Sequence, residues 1–443
     1  MKIDSSRKID TVILGAGISG LTLGYYLNKK NQNFLIFDSK RMSGGNISSS
    51  VKDGFICENG PNTILLNNDS VKEIIEDIGL SKEIIYPNKN NKKRFLIRNG
   101  KLVAIPTTLF SFLRTNILSL IGKIKIFSEI FKPKHKNNTS VYNFISKRFG
   151  VEFHDIFIEP ILTGVYAGNT RKMSMKHVLN KVWEMEQKNR SVILSFLKND
   201  SKKNNFKSFN FKNGLSQLIN SIENKIEDKI NLKSNVTKVE KLKSGFKIII
   251  NESEEYFCDR IISTIPSYSL ANIIWDNNFS KTLKKISYSP IFVLHIGLEK
   301  SKIKENINGF GVLTKPSDKK SFLGILFNSR IFPHVSPEDY DLITVMVGGS
   351  RQPELLELNK EILKSKILKE IKELFSYDGQ IIMQHEYLWK KGIPQYGLNH
   401  SIVNESLKKF HFENKNFYVL GNFIDGISVS DCVRKAKKLV SKL

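Results

Sequence analysis

The chain has 443 residues, 40% hydrophobic and 25% charged, a globular composition with enough length for two or three cores. Its 69 Lys+Arg against 43 Asp+Glu give a formal net charge of +26, so the partners to weigh are nucleic acid, an anionic membrane surface or an acidic substrate, beside a plain compositional bias over solvated faces. The basic residues are scattered, without zinc-finger spacing, an RNA-binding signature or a basic base-reading helix, so nucleic acid is not expected.

The first element is the stretch from Asp10 to Asn46. An apolar strand, Thr11 to Leu14, runs into Gly15, Gly17 and Gly20, then a helix to about Lys30, then a strand from Phe34 to Phe37 that ends on Asp38. This is the βαβ dinucleotide fingerprint in its context: Gly15 for the sharp turn, Gly17 for close approach to a pyrophosphate, Gly20 for helix–sheet packing. The pyrophosphate is expected on the helix N-terminus. Asp38 stands 18 positions after Gly20, where a carboxylate accepts hydrogen bonds from ribose hydroxyls and repels a 2′-phosphate, which disfavours NADP. Six positions further come Gly44, Gly45 and Asn46. Taken alone the pair is a surface turn; after an acidic strand end it resembles the FAD-binding extension of amine-oxidase-like flavoproteins.

Glu58-Asn59-Gly60-Pro61-Asn62 reads as a tight loop after a strand, and residues 70–78 as a short helix capped by Ser70 with Glu73 three positions on. Residues 92–105 form a hairpin turning at Arg98-Asn99-Gly100. Over 107–131 a helical stripe runs through Leu113, Ile117, Leu120, Ile121, Ile124, Phe127 and Phe131, bordered by Arg114, Lys123, Lys125, Lys132 and Lys134. Such a stripe either lies in a membrane interface or packs on its own domain, and the neighbouring Leu109, Phe110, Phe112 and Leu113 add weight to the first reading.

Helices are expected at 139–149 and 151–162, a polar loop at 199–207, a strand from Phe206, a helix at 215–225 opened by Gly214, and strands over 230–250 around Val236. Asp259 to Pro266 is a strand ending on proline. Segments 288–300, 309–314, 321–328 and 342–348 alternate as strands of a second, antiparallel sheet, followed by an amphipathic helix from Leu355 to Phe375. Phe417 to Asn422 is a strand entering a glycine loop, with a helix from about Ser430, a pattern that returns the chain to the cofactor. Cys57, Cys258 and Cys432 are far apart and no C-x-x-C occurs, so no metal or dithiol chemistry and no disulfide framework is expected. No signal peptide is read before the first strand and no run of ~18 apolar residues is present, so a cytoplasmic place is expected, with at most peripheral membrane attachment.

Taken together these motifs resemble oxygen-dependent, FAD-containing protoporphyrinogen oxidases over nearly the whole length. The matching segments include GAGISGL at 15–21, ENGPN at 58–62, EPILTGVYAGNTRKMSM at 159–175, GFGVL at 309–313, LGILFNSRIFP at 323–333, IPQYGLNH at 393–400 and GNFIDGISVSDCV at 421–433. The resemblance implies an α/β (α+β multi-domain) fold with three parts. These are a discontinuous Rossmann-like FAD domain (1–90, 206–265 and 405–443), an antiparallel-sheet substrate domain (91–106 and 266–404), and a helical, membrane-binding domain (107–205). For FAD it implies Gly15, Gly17, Gly20 and Asp38 at the phosphates and ribose, Gly44, Gly45 and Asn46 near the pyrophosphate and ribityl chain, and Asn62 at the flavin edge. Val236 would meet the adenine by its backbone, and Gly421, Asn422 and Val429 would close on phosphates and flavin. For the substrate it implies Arg98 on a propionate, Leu313, Leu326 and Met346 as apolar walls, and backbone carbonyls of Gly164 to Gly168 beside the reacting ring. Asp38 replaces the more frequent Glu, and Thr163 stands where relatives can carry a longer or basic residue.

The implied reaction is six-electron oxidation of protoporphyrinogen IX in heme or chlorophyll biosynthesis, in three hydride transfers to the flavin, with molecular oxygen as acceptor and no catalytic side chain. A porphyrinogen, oxygen, a membrane surface and a second copy of the chain in a homodimer are the implied partners. Arg suits a carboxylate because its planar fork bonds both oxygens. Read without the resemblance, Arg98 is a hairpin cation and Leu313, Leu326 and Met346 are core residues of a sheet face. The alternatives are coproporphyrinogen III oxidation on the same fold, an amine oxidase with Trp389 and Tyr396 as members of an aromatic cage, a carotenoid desaturase, and a non-enzymatic basic flavoprotein. His400 is expected to be structural.

Overall fold

The computed structural model describes residues 8–91, 93–106, 111, 114–198 and 207–443. Leu109, Phe110, Phe112 and Leu113, and residues 199–206 of the polar loop expected over 199–207, lie outside the described residues, while Lys207 opens the strand Lys207–Phe211.

The apolar run Val12-Ile13-Leu14 is closed to solvent on both faces, as the central strand of a parallel sheet must be. Lys8–Leu14 lies between Phe34–Phe37 and Glu254–Ser263, parallel to both. The seven-stranded sheet runs Ile230–Asn231, Phe34–Phe37, Lys8–Leu14, Glu254–Ser263, Phe246–Ile250, Val236–Lys241, with Phe417–Val419 joined in parallel to Glu254–Ser263. The helices Ile18–Lys29 and Val429–Val440 pack against one another beside this sheet, so both ends of the chain meet in one core.

A second seven-stranded sheet runs Ile381–Pro394, Tyr288–Glu299, Tyr340–Gly348, Gly324–Leu326, Gly311–Leu313, Arg94–Arg98, Lys101–Ala104. Its pairs are antiparallel apart from Gly311–Leu313 against Arg94–Arg98, the one departure from the expected antiparallel sheet. Leu363, Ile367, Ile371 and Leu374 of Lys360–Leu374 cover one face at helical spacing.

The third group is helical: Leu120–Phe127, Val141–Phe149, a run from Val151 to Tyr166 with a wide turn over His154–Ile158, then Asn180–Asn189 and Val192–Lys198. Its centre holds a fully buried ion cluster. The Arg148 guanidinium donates to Glu129 at 2.6 Å and to Glu186 at 2.7 Å, and its remaining N–H groups reach the carbonyls of Pro133 and Arg190. Each charge is therefore paired and bonded, the condition on which buried ions are tolerated.

Several expectations shift in position. The first short helix spans Asp69–Asp77 and is capped by Asn68, whose side chain accepts from the Val71 N–H, so Ser70 is not the cap. The stripe of 107–131 is not one helix: the chain bends over residues 115–118, and Ser119 caps the helix Leu120–Phe127 by accepting from the Gly122 N–H. The helix read from Leu355 begins at Lys360, after a tight turn over Pro353–Glu357. The strand Ile381–Pro394 and the helix His400–Glu413 gave no signal; the strand is a sheet edge whose polar residues blur the alternation.

Candidate active site

The glycine loop is shaped by what a side chain would strike. Gly15 sits at φ +99°, and a Cβ on Gly20 would lie 1.9 Å from the Gly15 carbonyl oxygen. Gly17 and Gly44 form a parallel bridge, Gly44 N–H donates to the Ala16 carbonyl at 2.8 Å, and a Cβ on Gly45 would stand 3.1 Å from the Gly17 Cα. The loop at 44–46 thus returns onto the fingerprint, and is no free surface turn. Asp38 ties the cradle together: one carboxylate oxygen accepts from the Ala16 N–H at 2.7 Å and the other from the Lys40 N–H at 2.8 Å. Each oxygen keeps a lone pair for a ribose hydroxyl. This backbone bed with a carboxylate at its edge fits a dinucleotide.

The other expected cofactor residues arrange as follows. Asn46 donates to the Gly392 carbonyl at 3.3 Å, which links the cradle to the edge strand of the second sheet. Asn62 accepts from the Asn328 amide at 2.7 Å, and its carbonyl accepts from Asn210. Asn328 was not anticipated; its own Oδ1 is buried without a partner, a polar atom awaiting a donor. Its only sequence signal is its place in LGILFNSRIFP. Val236 opens its strand, half-buried, at an irregularity in the pairing with Phe246–Ile250. Gly421 and Asn422 begin the loop before Val429–Val440, with Val429 at the helix's first position. Behind the 58–62 loop, burial pushes the Glu58 carboxyl up to about 7, against hydrogen bonds from Ser49, Asn210 and the Leu215 N–H that favour its charged form.

On the second sheet, Leu313, Leu326 and Met346 are each half-buried in strands that are otherwise mostly closed. Leu313 and Met346 flank Gly324 in register across three strands, and Leu326 lies two residues along on the same face. The helix Glu159–Tyr166 lies over this floor: a Cβ on Gly164 would stand 2.8 Å from the Leu313 Cδ2. Gly168 packs against Gln395 and Met173. Of the carbonyls expected to be offered over 164–168, that of Tyr166 is taken by the Gln395 amide at 2.9 Å and that of Ala167 by the Ser350 N–H at 2.7 Å. Arg98 ends its strand exposed, its guanidinium donating to the Asn116 carbonyl at 2.5 Å.

The structure does not assemble Trp389 and Tyr396 into a cage. Tyr396 is 2% exposed, with its hydroxyl donating to the Asn422 carbonyl and accepting from the Gly426 N–H, while the Trp389 indole donates to the Asn59 carbonyl and its ring lies tilted against Tyr387. His400 is buried against Tyr396 and His177, and burial pushes its imidazole down to about 4. The three cysteines are free and buried, and among the described residues no cluster of metal-ligating side chains occurs.

Residues 18–438 match the sequence profile of flavin-containing amine oxidoreductases. The chain is 29% identical to protoporphyrinogen oxidase 2, chloroplastic/mitochondrial, of Arabidopsis thaliana, over 96% of this chain and 92% of that one. It is 25% identical to the coproporphyrinogen III oxidase of Bacillus subtilis (strain 168), over 99% and 98%. Among solved structures it superposes on a protein from Exiguobacterium sp. 255-15 provisionally named a protoporphyrinogen oxidase, with TM-score 0.85, 21% identity and 99% and 98% coverage. It also superposes on putrescine oxidase bound to putrescine, with TM-score 0.73, 14% identity and 98% coverage of both chains. With a backbone bed that fits a dinucleotide and a family profile over residues 18–438, the chain belongs to the flavin-containing amine oxidoreductase family and is an FAD-dependent oxidase.

Proposed function

We propose that this enzyme oxidises a porphyrinogen, protoporphyrinogen IX, to the porphyrin. The observation that carries this reading is the floor of Leu313, Leu326 and Met346, left half-open beneath the helix that holds Gly164. A flexible tetrapyrrole needs broad apolar walls and few cations. Bound FAD supplies the two-electron acceptor for each of three oxidations, and three molecules of oxygen leave as peroxide for each porphyrin formed. The chain's part is to orient. Leu313, Leu326 and Met346 hold one macrocycle face, Gly164 lets its helix close onto Leu313, Arg98 meets a propionate at the rim, and the Asn62–Asn328 amide pair fixes the polar edge nearest the flavin. No side chain is assigned a proton-transfer role. The relatives act, by name, on protoporphyrinogen or coproporphyrinogen, and the two differ in carboxylate number. The test is to give the purified flavoprotein protoporphyrinogen IX, coproporphyrinogen III and putrescine under air, following porphyrin fluorescence and peroxide. Protoporphyrin above the autoxidation rate supports the assignment; faster coproporphyrin formation transfers it to the tetracarboxylate, and peroxide from putrescine alone overturns it.

Part of the same reading is where the enzyme works. Leu120, Ile121, Ile124 and Phe131 are 77%, 66%, 67% and 76% exposed, so these residues of the stripe face outward, while Ile117 packs on the helical core. No described helix is long and apolar enough to cross a membrane. An outward apolar face with the exposed Lys125 and Lys134 beside it fits the surface of an anionic bilayer.

A further inference from the structure

The loop from Gly421 to Gly426 is held from two sides, by Tyr396 and by Lys435, which lies outside every motif quoted above. Lys435 lies on the helix Val429–Val440, and a helical side chain leans toward the N-terminus of its helix. Its ammonium donates to the carbonyls of Gly421 at 2.7 Å, Gly426 at 3.1 Å and Ile424. An ammonium has three N–H donors, and here each has its own carbonyl. On the other side the Tyr396 hydroxyl donates to the Asn422 carbonyl at 2.8 Å and accepts from the Gly426 N–H at 3.0 Å.

Every peptide bond of the described chain is trans, and in a trans peptide the carbonyl of one residue and the N–H of the next point opposite ways. Three carbonyls turned toward Lys435 therefore turn the N–H groups of Asn422, Asp425 and Ile427 away from it. Among the described residues none of these three N–H groups has an acceptor within the chain. Asp425 at φ +47° and Gly426 at φ +110° turn the chain sharply here, so that the N–H groups on either side of Gly426 stay free while its own is held by Tyr396. The loop follows a strand parallel to Glu254–Ser263, and the helix behind it packs on the fingerprint helix Ile18–Lys29, which places it beside the dinucleotide cradle.

We propose that Lys435 is a positioning residue for the flavin cofactor: by gathering the carbonyls of Gly421, Ile424 and Gly426 it presents the N–H groups of Asn422, Asp425 and Ile427 to the oxygen atoms of bound FAD. The ammonium touches loop carbonyls alone and acts through the backbone. The inference rests on FAD as the cofactor and not on the porphyrinogen reading. Without the cation, three carbonyls lose their shared donor, the peptides are free to turn, and the N–H groups no longer act as a set.

The test uses the full chain as Lys435→Met, which keeps the stem and removes the donors, and Lys435→Arg, which keeps donors. FAD affinity is measured by fluorescence quenching on reconstitution, the bound flavin by its absorption spectrum and midpoint potential, and the apoprotein by its melting temperature. Lys435→Met should weaken FAD binding ~10-fold or more, about 1.4 kcal/mol, with a shifted flavin spectrum and an apoprotein melting as wild type. Lys435→Arg should recover most of the affinity and the wild-type spectrum. Wild-type affinity and spectrum in Lys435→Met overturns the proposal, and so does a lowered apoprotein melting temperature with FAD affinity unchanged, which marks a merely structural lysine. Should Lys435→Met not fold, Tyr396→Phe releases the same loop from its other side and must weaken FAD binding if presentation by the loop matters. None of these readouts involves a porphyrinogen, so a wrong substrate assignment leaves the result standing.

Discussion

A methyl group added at Gly20 separates a cofactor role from a packing role. The new Cβ would lie 1.9 Å from the Gly15 carbonyl oxygen, where an ordinary carbon–oxygen approach is about 3.3 Å. Backbone strikes backbone, so the turn itself must move by roughly 1.4 Å, the gap left between those two distances. The turn has little room: a Cβ on Gly15 would meet the Thr264 hydroxyl at 2.9 Å, and Gly15 already stands at φ +99°. Displacing a bed of N–H groups by that much should weaken FAD binding at least ~10-fold, about 1.4 kcal/mol. Gly24 is the control on the same helix. Its Cβ would meet Ile36 Cδ1 at 2.8 Å and Ile226 Cδ1 at 2.9 Å, the far ends of side chains that can turn aside. Gly24→Ala should therefore cost at most the overpacking penalty of about 1–3 kcal/mol in stability and leave FAD affinity alone. Apoprotein melting and FAD titration of both variants decide it. Gly20→Ala binding FAD as wild type, or both variants losing affinity equally, would falsify the assignment of the cradle.

Glu58 makes stability depend on pH. Its folded carboxyl titrates near 7 because burial penalises the charged form, above the ordinary 4.5. The folded state therefore holds its proton longer than the unfolded chain, so stability falls as pH rises from about 4.5 to 7, by up to about 3–4 kcal/mol, and stays reduced above. Glu58→Gln should flatten that decline in chemical denaturation between pH 5 and 8; an unchanged slope refutes the buried proton. Arg98→Ala should raise KM for the porphyrinogen with FAD content intact, and apoprotein in that variant contradicts its place at the rim. Replacing Leu120, Ile124 and Phe131 by Ser should abolish binding to vesicles containing anionic lipid without lowering FAD content; undiminished sedimentation with vesicles counts against that face.

How much the sequence discloses varies with how local the signal is. Thr11 to Leu14, the three glycines and Asp38 lie within one βαβ unit, and each has a local steric or electrostatic reason that survives in the structure. The hairpin over 94–104 is likewise legible from its Asn99-Gly100 turn. Ile381–Pro394 is not, because an edge strand pairs on one side and carries Gln384, Glu386 and Lys390 without penalty. Ser70 lost the cap to Asn68 because two polar residues two apart offer similar capping chemistry, and the tertiary setting chooses. Asn328 and Lys435 could not be assigned from sequence, because each acts on a residue far away or on a loop's carbonyls.

The apolar floor illustrates why a resemblance and a geometry are stronger together than either alone. Leu313, Leu326 and Met346 would pass as core on residue type, and the second sheet supplies many buried aliphatics to hide them among. What distinguishes them is that each stays half-open in a strand whose other positions are mostly closed, and that the gap between Leu313 and Met346 is held by Gly324, whose added Cβ would meet the Val312 carbonyl at 2.9 Å. The glycine at the centre of this floor and the glycine of the helix above it both allow close approach at Leu313, since a Cβ at either would come within 3.3 Å of its Cδ2. Large aliphatic side chains left half-exposed on one face of strands that are otherwise closed are what ordinary core packing of this sheet does not account for.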